Sequence, residues 1–281
     1  MKKMCVVGAG TMGASIAQVF ASKGWKVVLC DTDQEFAEKG KAKIEAGLLR
    51  LCQKQKISEE EKQEILENIT PSGSLEDAEG CMLVLEAVYE NLQAKHNIFK
   101  QLEQIIPEDA ILATNTSSIS ITEIAGCLKD KTRLVGMHFF NPAAVMQLVE
   151  VVGGAHSKEE HIERVVEIAD GIGKVPVKAK ENSGFIVNRI LIPMINEAIG
   201  VLADGVATAE DIDMAMKLGA SHPMGPLALS DLIGNDVVLA IMEVIYQETS
   251  DPKYRPHPLL KKMVRAGWLG KKSGRGFFDY G

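Results

Sequence analysis

Paired cysteines are absent from this chain. Its five cysteines, Cys5, Cys30, Cys52, Cys81 and Cys127, form no CxxC spacing, so neither a zinc site nor a dithiol redox motif is expected. Cys5, Cys30 and Cys81 lie in apolar, strand-like runs, which fits buried free thiols in a reducing, cytoplasmic setting. Long hydrophobic runs are missing too. No window of about 18 unbroken apolar residues occurs, which excludes a membrane-spanning helix on length. The opening MKKMCVVGAG sets two lysines before apolar residues, but glycines interrupt it before an h-region develops, so it reads as a β-strand rather than a signal peptide. Positive charge is in deficit: 31 Lys and Arg against 38 Asp and Glu give a net charge of -7, which argues against nucleic acid as the partner. An anionic ligand must therefore be met by local positive charge. Internal repeats and low-complexity segments are also absent.

What is present is an ordinary globular composition, 46% hydrophobic and 25% charged, over 281 residues, enough for one large domain and a smaller one. Short apolar runs (MCVVG, KVVLCD, CMLVLEAV) alternate with helical patterns, and AILATNT, RLVGMHF, MQLVEVV and VPVKAK are further strand candidates. That alternation predicts an α/β, Rossmann-type doubly wound sheet, mostly parallel, over residues 1–182. The charged stretch of about 34–68 exceeds what a minimal βαβ unit needs and predicts an inserted, projecting helical hairpin. From Ser183 the pattern is helical only, so residues 183–281 are expected to form an all-α domain for substrate contact and dimerisation. Within it, GFIVNRILIPMINEAIGVLADG is apolar on nearly every face, which predicts a helix buried on all sides and kinked at Pro193. Thr208 with Asp211 makes a capping-box-like start for AEDIDMAMKLG, and HPMGP at 222–226 breaks the connection that follows.

GAGTMG follows the first strand and opens a helix, the context that gives a bare GxGxxG meaning. Gly8 permits the tight turn, Gly10 lets backbone approach a pyrophosphate, and Gly13 allows helix to pack on strand; Thr11 and Met12 complete the cofactor-facing loop. The helix N-terminus offers unpaired N–H groups to phosphates. Asp31 ends the second strand, where a carboxylate accepts from ribose hydroxyls. Thr32 and Asp33 follow it rather than an arginine, so a 2'-phosphate would meet two negative charges and NAD is preferred to NADP.

In GMHFFNPAAVMQLVEVVG, residues 136–153, antiparallel pairing about a loop centred on Ala144 sets His138 opposite Glu150 on one face, with Cβ atoms about 5 Å apart. A carboxylate there fixes the imidazole tautomer and stabilises the imidazolium, as a general base requires. A one-residue slip of register would remove the pair. Asn141-Pro142 ends the strand. TNTSS follows another strand and puts Asn115 and Ser117 at a carboxyl end of the sheet, where doubly wound folds bind ligands. Asn188 is a lone amide in an apolar helix and must be hydrogen-bonded to a neighbour or a ligand.

Together, GAGTMG, NTSS, HFFNP with MxLVEV (MQLVEV here), GFIVNR and AMKLGASHPMGP resemble the L-3-hydroxyacyl-CoA dehydrogenases, and most closely the bacterial 3-hydroxybutyryl-CoA dehydrogenases. The resemblance runs from about residue 2 to GWLGKKSGRGFFDY. It implies a dehydrogenase of fatty acid or butyrate metabolism that interconverts (S)-3-hydroxybutyryl-CoA, or a short-chain homologue, and acetoacetyl-CoA, as a homodimer or higher homo-oligomer. It also implies that His138 exchanges the proton of the 3-hydroxyl, that Glu150 pairs with it, and that Asn188 and Ser117 bind the reacting oxygen and the thioester region. Asp31, Glu90, Lys95, Asn115, Ser117, Asn141 and Lys272 match positions that approach NAD; taken alone, Glu90, Lys95 and Lys272 read as solvated charges. Lys43, Gly47, Arg50 and Lys54 share one face of the hairpin's first helix, and the resemblance makes Lys54 a coenzyme A contact with Arg50 beside it. Gly47 departs from a serine found in some relatives. Two alternatives stay open: a dehydrogenase of the same fold acting on a free hydroxy acid or sugar acid, and a non-catalytic NADH sensor.

Overall fold

A computed structural model describes residues 2–281. Eight strands make one sheet: β1 (Lys3–Val7), β2 (Lys26–Cys30), β3 (Ile69–Ser72), β4 (Leu83–Glu86), β5 (Ile111–Thr114), β6 (Leu134–Phe139), β7 (Leu148–Gly153) and β8 (Val175–Lys180), in the order β3-β2-β1-β4-β5-β6-β7-β8. Pairing is parallel throughout except between β6 and β7. The middle strands are buried along nearly their whole length, as helices on both faces of a parallel sheet require. The strand order reverses between β1 and β4, and in such sheets that is where a dinucleotide lies.

Strand β3 was not among the expected strands. Its sequence, ITPS, carries Pro71, which cannot donate to a ladder, and an edge position is where such a residue is tolerated. The hairpin register agrees with the sequence reading: His138 pairs with Glu150, and Val135 with Gly153.

Around the sheet lie α1 (Thr11–Ala21), α2 (Gln34–Gln53), α3 (Glu59–Glu67), α4 (Leu92–Ile105), α5 (Ile121–Ala125) and α6 (Glu159–Gly171). The inserted hairpin is α2 and α3. Asp33 caps the first through the Phe36 N–H, and Ser58 with Glu61 forms a reciprocal capping box on the second. Ala37, Gly40, Ile44 and Leu48 make the buried stripe of α2 at helical spacing. At Gly40 a β-carbon would stand 2.7 Å from that of Ala9, so the root of the hairpin packs directly on the dinucleotide loop.

The chain divides into two compact units, one ending at Glu181 and one running from Asn182 to Gly281. The second contains α7 (Val187–Ala203), α8 (Ala209–Gly219), α9 (Pro226–Ile233), α10 (Asn235–Thr249) and α11 (Pro258–Arg265). Ile192, Ile195, Ile199, Leu227, Val238, Met242 and Ile245 fill its core. Thr208 caps α8 through the Asp211 N–H, and Pro226 opens α9 at its first turn. One expectation fails: α7 is not buried on all sides, because Ile190 is 68% exposed. Its apolar residues outnumber what the neighbouring helices of the unit cover, although Pro193 does sit inside the helix. Asp231 ties the C-terminal segment down, accepting from the N–H groups of Phe277 and Phe278 and from the Tyr280 hydroxyl. Among the described residues no helix is long and apolar enough to cross a membrane.

Candidate active site

The glycines of GAGTMG have three different physical jobs. Gly8 has φ +106, and a β-carbon there would meet the Ala87 carbonyl oxygen at 2.7 Å. Gly13 lies so close to β1 that a β-carbon would fall 1.7 Å from the Gly8 carbonyl oxygen. At Gly10 a β-carbon would meet nothing within 4 Å, so this face of the loop is open to an approaching ligand. Gly10 is also the N-cap of α1 and brings no side-chain cap, which leaves the first-turn N–H groups, from Thr11 and Met12 onward, directed at whatever binds there. Asp31 closes the loop from the β2 side: Oδ2 accepts from the Ala9 N–H at 2.6 Å and Oδ1 from the Thr32 N–H at 2.7 Å. A cleft of ≈ 500 Å³ opens beside Asp31, lined also by Gly73, Leu75, Gln104 and Ile105, which the sequence reading did not single out. An open glycine loop, an uncapped helix N-terminus and an acid at the second strand are the parts that NAD needs.

His138 on β6 is 5% exposed and Glu150 on β7 is fully buried. Imidazole Nδ1 lies 2.7 Å from Glu150 Oε2, and the ring of Phe140 packs 4.6 Å from the imidazole. The carboxylate accepts the Nδ1–H, which assigns the lone pair of the neutral ring to Nε2. The hairpin loop between the two strands is held from outside. Lys174, itself buried, donates from Nζ to the carbonyls of Ala143 (2.6 Å) and Met146 (2.8 Å), and the Ala144 N–H donates to Ser15 Oγ of α1. Burial pushes the Lys174 ammonium below the ordinary lysine range, with Lys23 adding to it.

Beside the dyad, Asn115 Oδ1 accepts the Phe139 N–H at 2.8 Å, which binds the end of β5 to the residue after His138. Ser117 donates its N–H (2.7 Å) and its hydroxyl (3.1 Å) to Glu90 Oε1. Glu90 in turn lies 3.2 Å from Lys95 Nζ, and Lys95 lies 2.7 Å from Glu86 Oε1. Lys95 is thus no solvated charge: it is 1% exposed, between two carboxylates. The sequence reading missed Glu86, which is fully buried, and also Thr114 and Thr116, whose hydroxyls donate to Glu86 and Glu90. An acid inside the apolar run CMLVLEAV was the available signal.

The remaining candidates are scattered. Asn141 is exposed just past β6, in a cis peptide with Pro142. Arg50 is in the last turn of α2 and Lys54 is its C-cap, so Lys54 stands past the helical stripe rather than within it. Arg50, Lys54 and Lys43 are exposed, and Gly47 is half-buried. Asn188, near the start of α7, and Lys272 belong to the helical unit, where Lys272 pairs with Asp236 at 2.7 Å.

Two family models cover the chain: "3-hydroxyacyl-CoA dehydrogenase, NAD binding domain" over residues 3–182 and "3-hydroxyacyl-CoA dehydrogenase, C-terminal domain" over residues 184–280. Among curated proteins it is similar to the 3-hydroxybutyryl-CoA dehydrogenase of Clostridioides difficile, 52% identical over 99% of each chain. It is likewise similar to that of Bradyrhizobium diazoefficiens, 45% identical over 100% of this chain and 96% of the other. Among solved structures it resembles the (S)-3-hydroxybutyryl-CoA dehydrogenase of Ralstonia eutropha with a TM-score of 0.96 and 47% identity, covering 100% of this chain and 99% of that one.

Proposed function

The chain belongs to the 3-hydroxyacyl-CoA dehydrogenases, and from that premise we propose that it interconverts (S)-3-hydroxybutyryl-CoA, or a short-chain homologue, and acetoacetyl-CoA, with His138 as the acid and base. The observation that carries this reading is the buried 2.7 Å hydrogen bond between His138 Nδ1 and Glu150. With Nδ1–H held, Nε2 takes the proton of the 3-hydroxyl during oxidation and returns it during reduction. Glu150 stabilises the imidazolium that forms, and burial of both groups strengthens that attraction. NAD, when bound, supplies the two-electron acceptor for oxidation at C3; Gly8, Gly10, Gly13 and the first turn of α1 are the residues to hold its pyrophosphate, and Asp31 its ribose. Ser117 is assigned to the thioester region and the reacting oxygen. Asn188, Asn141 and Lys272 are proposed contacts on the resemblance of their motifs. A homo-oligomer formed through the helical unit is proposed on the resemblance of its motifs.

Two measurements test the ligand side. Asp31 and Asp33 repel a 2'-phosphate, so fluorescence titration is expected to give tighter binding of NADH than of NADPH by about tenfold or more; the reverse order would refute the NAD assignment. Replacing Lys54 by alanine removes a proposed phosphate contact from an exposed position. The expected result is a KM for acetoacetyl-CoA raised about three- to tenfold with kcat unchanged, as loss of uniform binding dictates. A silent variant, with no competition by free coenzyme A, would favour a free hydroxy acid as substrate.

A further inference from the structure

We propose that Glu86 is a positioning residue: by pairing with the buried Lys95 it leaves the carboxylate of Glu90 to hold Ser117. The kinetic side of this rests on the function proposed above, whereas the geometry stands apart from it. Glu86 is the last residue of β4, at the carboxyl end of the sheet and on the side of β1 away from Asp31. One of its oxygens accepts from the Val88 N–H (2.7 Å) and from Lys95 Nζ (2.7 Å), and the other from the Thr114 hydroxyl (2.7 Å). It therefore joins the turn after β4, the end of β5 and α4 at one buried point.

Lys95 decides what Glu90 is able to do. A buried ammonium left without a carboxylate is strongly destabilising, so it takes whichever anion is in reach. Two are: Glu86 at 2.7 Å and Glu90 at 3.2 Å. Because the nearer one is Glu86, Glu90 is only partly neutralised and still accepts from the Ser117 N–H, the Ser117 hydroxyl and the Thr116 hydroxyl. Two carboxylates against one ammonium leave a formal net negative charge, and it resides on the half-exposed partner next to Ser117. Without the charge of Glu86, Lys95 would draw Glu90 to itself and the 115–117 loop would lose its anchor.

The test compares the parent with Glu86→Gln by amide hydrogen exchange without cofactor and by steady-state kinetics. Exchange at the Ser117 N–H is expected to quicken about tenfold, the scale of losing a hydrogen bond to a charged group, while Leu112 and Ala113 in β5 keep their rates. kcat with acetoacetyl-CoA is expected to fall about tenfold, with KM within about threefold of the parent. In Glu86→Gln combined with Lys95→Met no ammonium competes for Glu90, and protection of the Ser117 N–H is expected to return. If Glu86→Gln does not fold, Glu86→Asp takes its place: its carboxylate stands one methylene farther from Lys95, so the ammonium turns to Glu90 only in part, and quickened exchange at the Ser117 N–H and a lowered kcat are expected in the same direction at about a third of the size. Unchanged exchange at Ser117, quickening spread evenly over β5, or protection still lost in the double variant would overturn the proposal. A parent inactive on acetoacetyl-CoA would refute the assigned substrate instead, and the exchange result would still decide the role of Glu86.

Discussion

Replacing His138 by alanine is expected to lower kcat for acetoacetyl-CoA reduction by about 10²- to 10⁴-fold, the range for removing a general acid or base. The variant should still bind NADH nearly as the parent does, because the glycine loop and Asp31 interact with one another and the imidazole is held by Glu150. kcat within about tenfold of the parent would reject the role. The same assignment fixes the sign of the pH dependence. Oxidation of the alcohol needs the neutral ring and so rises with pH, while reduction of the ketone needs the imidazolium and falls. Stopped-flow rates in the two directions check this, and flat profiles would count against proton transfer through His138.

Gly13→Ala is expected to weaken cofactor binding more than any change to a charged contact. A β-carbon at Gly13 would fall 1.7 Å from the Gly8 carbonyl oxygen and 2.9 Å from its carbon. Those atoms are backbone and belong to the turn that Gly8 makes at φ +106 while donating its N–H to Cys30. Relief therefore requires α1 to move off β1, which displaces the N–H groups of the first turn. Overpacking of this kind costs on the order of 3 kcal/mol, and that cost charged to the bound state weakens NADH by about a hundredfold. Equilibrium titration of NADH checks the loss, and a thermal melt is expected to show a lower midpoint as well. An unchanged dissociation constant would mean that the loop does not hold the pyrophosphate.

Local, periodic features of the sequence carried most of the fold. The βαβ alternation fixed the parallel core, and the period of two in a strand pair, with the loop centred on Ala144, was enough to place His138 opposite Glu150. Strand β3 escaped because ITPS has no apolar run and includes Pro71; only its pairing to β2 makes it a strand. The exposed side of α7 escaped because hydrophobicity states what a helix prefers to bury and not whether its own unit has helices enough to bury it. The Glu86, Lys95 and Glu90 cluster was the least legible. Its members come from β4, the turn after it and α4, and they meet the loop after β5, so only the folded sheet brings Thr114, Thr116 and Ser117 to them. A lysine that reads as solvated is, in place, the buried cation between two acids.

On the proposed function the protein reduces acetoacetyl-CoA, and not the free acid, to (S)-3-hydroxybutyryl-CoA at the expense of NADH. The most direct measurement follows NADH absorbance after acetoacetyl-CoA is added to the purified protein, with the product resolved by chirality. NADH is expected to be consumed in step with formation of (S)-3-hydroxybutyryl-CoA, with free acetoacetate left unreacted. No consumption of NADH, or equal consumption with the free acid, would contradict it.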